Sequence, residues 1–434
     1  MNNTDSWWSE FSMSKKTILF LGTSLIGALY IQEAAEYLGF NAVFLLHIED
    51  YSGDSKRAIQ KSEHYEANVN SLADVVRAIH ENNLMQEYNV IGITSFLDET
   101  FQIVVEVAKQ FGIVGPDPIL AALTDKSAVY QMIPEFSSPS LIFTLSDMSQ
   151  KNIEQFFNQH KNINEFMLKP SVSSGAVGIS ILNKKTDFEE IKQLIHSAEI
   201  EGISKQHWII QPRIFGRLHS LEGYVRNGQI FFLGFSRRVR KNLTEIVTEF
   251  PVDNELPLPI QQQCHNAVQA LVERSCYMNG YFHCEFIVNV EKNAAYFIDG
   301  NMGRAAGGPT VQQIASIYGK KPIDIFTHII DLGLFQGKNS SNFCYGKRDE
   351  KRMLSIRYCL ADPAIVIGVT LPSEMTSFHI QVAGDNKKVP GVGTSDSAWV
   401  GFIAGYKEQV LAEIQKIVIE TDKGSVRPFY TLEE

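Results

Sequence analysis

The sequence predicts a mixed α/β chain of more than one domain, opening with a doubly wound α/β domain and continuing into strand-rich α+β parts. Three observations predict this. The first hundred residues alternate short apolar runs with helical stretches, the pattern of buried parallel strands joined by crossover helices. Gly115-Pro116-Asp117-Pro118 then punctuates the chain as a boundary. Beyond it, FHCEFIV and AYFID alternate in hydrophobicity around a polar turn, as the arms of an antiparallel hairpin do.

The 434 residues leave room for two to four domains or subdomains, at roughly 100–200 residues each. With 44% hydrophobic and 20% charged residues, the chain has the balance of a soluble globular protein. Its net charge of -10 does not favour bulk nucleic-acid binding, which needs a basic face. Cys264, Cys276, Cys284, Cys344 and Cys359 are an odd number without CxxC spacing. That speaks against a disulfide scaffold or thiolate zinc knuckle and fits a reducing, cytoplasmic setting.

In chain order, MNNTDSWWSEFS reads as an extension or tag scar, with Met13 as an alternative start. Lys15-Lys16 before TILFLGTSLIGALYI imitates a signal peptide. A buried strand, 17–21, followed by a helix over 25–38 explains it better, because no small-residue cleavage site follows and Gln32, Glu33 and Glu36 give the helix a polar side. No apolar run reaches the roughly 20 residues that span a bilayer. Further strands fall at 42–46 and 89–95, and helices at 71–83 and 99–111, the last closed by Gly112. A helix follows at 119–133, then strands in 165–182 (the second starting at Val177), 208–216 and 219–236. A long polar stretch leads to Pro259, then a helix over 260–277 and the hairpin 281–299. The last ninety residues hold strand-like runs at 353–360 and 364–370 and a helix at 406–416.

A hairpin turn centred near Lys292 sets Glu285 opposite Asp299 and His283 opposite Asn301. Like charges directly across a hairpin repel, and a divalent cation removes the repulsion. Asn301, two residues past Asp299, points to the same face, which completes an all-oxygen set suited to Mg²⁺. Taken alone, Glu285 on a solvated face explains the pattern equally. In KPSVSSGAVGI, Lys169 ends a strand before a loop of small residues whose N–H groups can approach an anion. A flexible loop with a surface lysine is the simpler account of that piece alone. In GNMGRAAGG, Arg304 stands past the metal candidates, placed to grip a carboxylate or phosphate with its fork, or merely to cap carbonyls. SRRVRK (236–241) faces either phosphates and an acidic substrate or plain solvent.

Taken in order, these pieces resemble the ATP-grasp superfamily, and within it the carboxylate–amine ligases that join amino acids. GPDPILAALTDKSAVYQMI resembles the family's stretch with a nucleotide-contacting lysine, here Lys126; MLKPSVSSGAVGI resembles its second lysine and phosphate-covering loop. WIIQPRIFGRLHSLEG resembles the strand lining the adenine pocket, and the hairpin resembles the metal-binding hairpin. The resemblance implies an N-terminal doubly wound domain (13–115), an ATP-grasp domain of two α+β subdomains (116–207 and 208–345), and a small C-terminal α+β part (346–434). It implies ATP as substrate, contacted by Lys126, Lys169, Ser173, Ser174, Gly175, Ile210 and Gln211, with residues 208–211 meeting adenine largely through backbone; Mg²⁺ or Mn²⁺ on Glu285, Asp299 and Asn301; and a substrate carboxylate or acyl-phosphate on Arg304. Asp299 stands where the family usually has Glu, Arg304 lies one residue further from Asn301 than usual, and an acidic ribose contact expected near Gly216 is replaced by Arg217-Leu218-His219. The implied reaction is ADP-forming ligation of a carboxylate and an amine, with amino acids as small-molecule partners, no nucleic-acid or membrane partner, and a homodimer compatible with the chain. Another ATP-grasp reaction, such as carboxylation, or ATP binding without turnover, are the alternatives.

Overall fold

The apolar runs at the start of the chain form a parallel sheet. Its strands are β1 (Lys16–Leu21), β2 (Asn41–Leu46), β3 (Glu63–Glu66) and β4 (Asn89–Thr94), in the order β3-β2-β1-β4. β1 and β2 are buried along nearly their whole length, which is why they read as continuous apolar runs. Helices Gly27–Tyr37, Leu72–Glu81 and Phe101–Phe111 fall where expected, and Gly112 ends the last with a φ of 64°, in the left-handed region. Strand β3 and helix Gly53–Ile59 were not expected; β3 is half-buried and has no apolar run to announce it. The computed structural model describes residues 15–173, 177–198, 206–395 and 398–433, so the N-terminal extension lies outside the described residues.

The helix expected at 119–133 divides into Leu120–Leu123 and Lys126–Met132. Asp125 stands between them in extended backbone and accepts from Ser127 N at 2.7 Å, an N-cap that starts the second helix. A four-stranded antiparallel sheet follows, built from β5 (Leu141–Phe143), β6 (Glu165–Pro170), β7 (Ser180–Asn183) and β8 (Trp208–Pro212) in the order β5-β8-β6-β7. The strand expected to start at Val177 starts at Ser180.

The largest sheet has eight antiparallel strands. It comprises β9 (Arg217–Arg226), β10 (Gln229–Lys241), β11 (Thr244–Phe250), β12 (Asn279–Asn289), β13 (Ala294–Met302), β14 (Met353–Cys359), β16 (Phe378–Gln381) and β18 (Trp399–Tyr406), ordered β13-β12-β9-β10-β11-β14-β18-β16. β15 (Ala364–Thr370), β17 (Lys387–Val389), β19 (Val418–Thr421) and β20 (Gly424–Val426) form a small sheet beside it. Strand β11 corrects the expectation of an irregular polar stretch. All seven of its residues are buried, and its glutamates are paired: Glu245 with Arg238 and Arg357, Glu249 with Arg237 and Lys407. Pairing allows burial of charges that would otherwise be costly in a core.

The N-terminal domain packs against the rest of the chain. Tyr30 stacks on Phe326 of helix Pro322–Phe335 at 5.4 Å between ring centres. Ser52 Oγ donates to Val382 O at 2.5 Å, and Gln381 N donates to Asp54 Oδ2 at 2.6 Å. Among the described residues no helix is long and apolar enough to cross a membrane.

Candidate active site

The hairpin carries the centre of the site. Glu285 pairs with Asp299 and His283 with Asn301, as expected. The turn is centred half a residue earlier than Lys292, because Asn289 pairs with Ala294. A bulge at Ile298, between the pairs Phe286–Phe297 and Glu285–Asp299, restores the register on the side that matters. The two carboxylates therefore stand opposite each other on one face, in partial contact with solvent.

Each carboxylate meets a cation. Lys126, first residue of its helix, places Nζ 3.3 Å from Asp299 Oδ2 and 3.0 Å from Ser173 O. Arg238 of β10 donates to Glu285 Oε1 and also to Glu245. Burial would raise the carboxyl of Glu285, but Arg238 and the hydrogen bond from His283 hold it well below the ordinary range. Gly300 N donates to Asp299 Oδ1 at 3.0 Å, and Asn301 Nδ2 donates to His283 O at 3.3 Å.

Lys169 is the penultimate residue of β6, in the small four-stranded sheet. Its Nζ donates to Tyr130 Oη at 2.6 Å, and that hydroxyl donates to Ile298 O at 2.5 Å, linking the small sheet to the hairpin. Burial, and then the neighbouring Lys126, push the Lys169 ammonium down to about 7, while Asp299 and Glu285 pull the other way. A lysine so placed is poised to regain a full charge when an anion arrives.

These residues face one cavity of about 690 Å³. Lys126, Lys169, Ser173, Glu285, Asp299, Asn301 and Arg304 all line it, together with Arg238 and Arg240 of β10. The far walls come from the N-terminal domain, including Tyr51 and Asp98, and from Arg357 and Trp399 of the C-terminal strands. The glycine-rich turn is required here: a Cβ at Gly308, whose φ is +65°, would stand 2.6 Å from Arg357 Nη2.

Two of the expected adenine contacts lie off the cavity lining, and two other expected contacts fall outside the described residues. Ile210 is buried in the core of the small sheet and does not line the cavity. Neither does Gln211, whose amide nitrogen donates to Ser140 Oγ at 2.8 Å. Ser174 and Gly175 lie outside the described residues. The guanidinium of Arg304, expected to face a substrate carboxylate, is occupied: Nε donates to Asp98 Oδ1 at 2.7 Å and Nη2 to Asp98 Oδ2. Nη1 also donates to Ala305 O at 3.1 Å, so three of its five N–H groups are used within the chain and only the Nη1–Nη2 edge is left for a second carboxylate. The basic run 236–241 is a strand, not a loop: Arg237 turns to Glu249 while Arg238 and Arg240 line the cavity.

Sequence reasoning did not place Asp98, Arg357, Trp399 or Glu222. Asp98 and Arg304 are 206 residues apart, and no local pattern joins them. Glu222 is buried on β9, and the alternation that puts it on the site face is masked because β9 is buried from Leu218 to Val225.

Residues 163–311 match the family model of the ATP-grasp domain. The fold of the chain is that of solved ATP-grasp enzymes. The L-amino acid ligase from Bacillus licheniformis is 13% identical, with 96% of this chain and 99% of that one covered, at a TM-score of 0.68. The biotin carboxylase domain of Hydrogenobacter thermophilus 2-oxoglutarate carboxylase, solved with MgADP and bicarbonate, is 16% identical at a TM-score of 0.69, with 94% and 91% covered. Phosphoribosylglycinamide synthetase from Anaerococcus prevotii is 14% identical at a TM-score of 0.64, with 93% and 99% covered. No curated protein matches the sequence.

Proposed function

We propose that the chain is an ATP-dependent, ADP-forming ligase that activates a carboxylate as an acyl-phosphate and joins it to an amine, with amino acids as substrates. One observation carries the reading: two lysines from separate elements, Lys126 and Lys169, converge with the opposed Glu285–Asp299 pair on a single large cavity. The ATP-grasp family match supports the nucleotide, and the fold shared with an amino-acid ligase supports the reaction class.

The residues fit a hard divalent cation. Glu285, Asp299 and Asn301 offer only oxygen donors, on adjacent strands and toward one face, and two like charges stand opposite each other there. Held by these three, Mg²⁺ or Mn²⁺ supplies positive charge to the transferring phosphoryl group. Lys126 and Lys169 bind and orient the phosphates, and Lys169 becomes fully charged against them. The carboxylate oxygen takes the γ-phosphoryl group and ADP departs. The amine nitrogen then attacks the acyl carbon, phosphate leaves with that oxygen, and the amine loses a proton. Walls from three parts of the chain surround the place of the acyl-phosphate, which hydrolyses in free contact with water.

Arg304, held by Asp98 along one edge, and the cavity-facing Arg238, Arg240 and Arg357 form the basic wall that meets the substrate carboxylate in this reading. The likeness to a bicarbonate-bound biotin carboxylase domain fits an ATP-dependent carboxylase equally well. Release of ADP, assayed with paired amino acids in one arm and with bicarbonate plus free biotin in the other, separates the two. Turnover in the first arm alone supports the ligase; turnover in the second alone replaces it with a carboxylase.

A further inference from the structure

A buried polar pair lies directly behind Glu285. His283 stands two residues before Glu285 on β12, so both side chains leave the same face. Glu222 of the adjoining strand β9 is the register partner of His283. Its Oε1 lies 2.7 Å from His283 Nδ1, and His283 Nε2 lies 3.2 Å from Glu285 Oε1. The side chains of His283 and Glu222 are 5% and 1% exposed. Both ring nitrogens thus face carboxylate oxygens, and any rotation of the ring breaks both contacts. Among the described residues, the second oxygen of Glu222 is buried without a partner. Burying a carboxylate with so little compensation costs stability, and well-packed apolar residues would serve the sheet better.

We propose that Glu222 and His283 are positioning residues: the anchored ring fixes the direction in which Glu285 presents its carboxylate to a divalent cation. The inference rests on reading Glu285 as a metal ligand. His283 and Arg238 both act on Oε1, so the carboxylate plane is set from that side and Oε2 is left for the ion. Ligating carboxylates are commonly held in place by hydrogen bonds from side chains outside the coordination sphere, and loss of such partners weakens metal binding.

The test is direct Mn²⁺ binding by the full chain with saturating ADP, read as free Mn²⁺ by electron paramagnetic resonance. It requires no turnover. In His283→Asn the amide nitrogen stands near the Nδ1 position and no longer reaches Glu285, so Mn²⁺ binding weakens by about 10–100-fold. In His283→Gln the amide nitrogen stands near the Nε2 position, and affinity stays within roughly threefold of wild type because the donor to Glu285 is kept. If His283→Asn does not fold, Glu222→Ala serves, since it removes the anchor and a buried charge together; its Mn²⁺ affinity falls by about tenfold or more. Wild-type affinity in both His283→Asn and Glu222→Ala overturns the proposal, as does a Gln variant as weak as the Asn variant. If the wild-type chain with ADP binds no Mn²⁺, the reading of Glu285 as a ligand fails instead.

Discussion

Replacing Lys169 with methionine keeps the length and apolar stem of the side chain and deletes its charge. In the folded chain the ammonium is pushed from 10.5 to about 7, by burial first and by Lys126 second. At about 1.36 kcal/mol per pKa unit, that shift corresponds to at most roughly 4–5 kcal/mol against the charged form. The residue keeps partial contact with solvent, so a gain on the order of 1–3 kcal/mol is expected from Lys169→Met in the ligand-free protein. The sign follows from linkage. Below the folded value near 7 both states carry the proton, and the folded state bears the whole cost of the charge. Between there and 10.5 the unfolded state binds more protons, so the cost shrinks as pH rises and is gone above that value. Urea denaturation of wild type and variant at pH 6.5 and 9.5 measures this: the variant is more stable, and by more at the lower pH. The same variant loses on the order of tenfold or more in ADP affinity, because a charge-assisted contact is missing. Phosphate binding also restores the charge, so ADP binding to wild type near pH 8 takes up a proton, visible by calorimetry in buffers of different ionisation heat. A Lys169→Met variant equal to wild type in stability at both pH values and in ADP affinity would refute the reasoning and leave Lys169 a surface residue.

Three further outcomes are expected. Glu285→Gln and Asn301→Ala abolish ADP formation while keeping the circular dichroism spectrum of the folded chain, and excess chelator abolishes ADP formation in wild type; full turnover in chelator contradicts the metal assignment. Arg304→Lys loses the two-pronged pairing with Asp98 and lowers stability by roughly 1.5–3 kcal/mol in denaturant unfolding, with little change in the KM of the carboxylate substrate because the basic wall keeps its charge; a large rise in that KM with unchanged stability would make Arg304 the main carboxylate contact instead. Arg238→Ala leaves Glu285 opposite Asp299 without its guanidinium, so the ligand-free melting temperature falls, and Mg²⁺ with ADP raises it by more than in wild type.

The hairpin shows how much a sequence can reveal and why. Period-two alternation and a polar turn give the pairing of Glu285 with Asp299, although the agreement depends on a bulge at Ile298 that compensates for a turn centred half a residue early. The N-terminal strands and helices were legible because β1 and β2 are buried beyond their first residues and Gly112 is an unambiguous stop. Strand β11 was not, since Thr244-Glu245-Ile246-Val247-Thr248-Glu249-Phe250 reads as partly polar and its burial depends on arginines from β10 and β14 and on Lys407. The engagement of Arg304 by Asp98 was hidden for a similar reason: long-range ion pairs leave no periodicity. Lys126 and Lys169 were identified from resemblance and loop chemistry, but only the three-dimensional arrangement shows Tyr130 bridging Lys169 to the hairpin backbone.

The most direct measurement of the central claim is a matrix of paired amino acids incubated with the full chain, ATP and Mg²⁺, with ADP release followed and product mass determined. The account predicts ADP release that requires both a carboxylate and an amine, is lost in Glu285→Gln, and yields a product whose mass is that of the two substrates less one water. ADP release that responds only to bicarbonate and biotin, or no release with any pair while nucleotide binds normally, would contradict it.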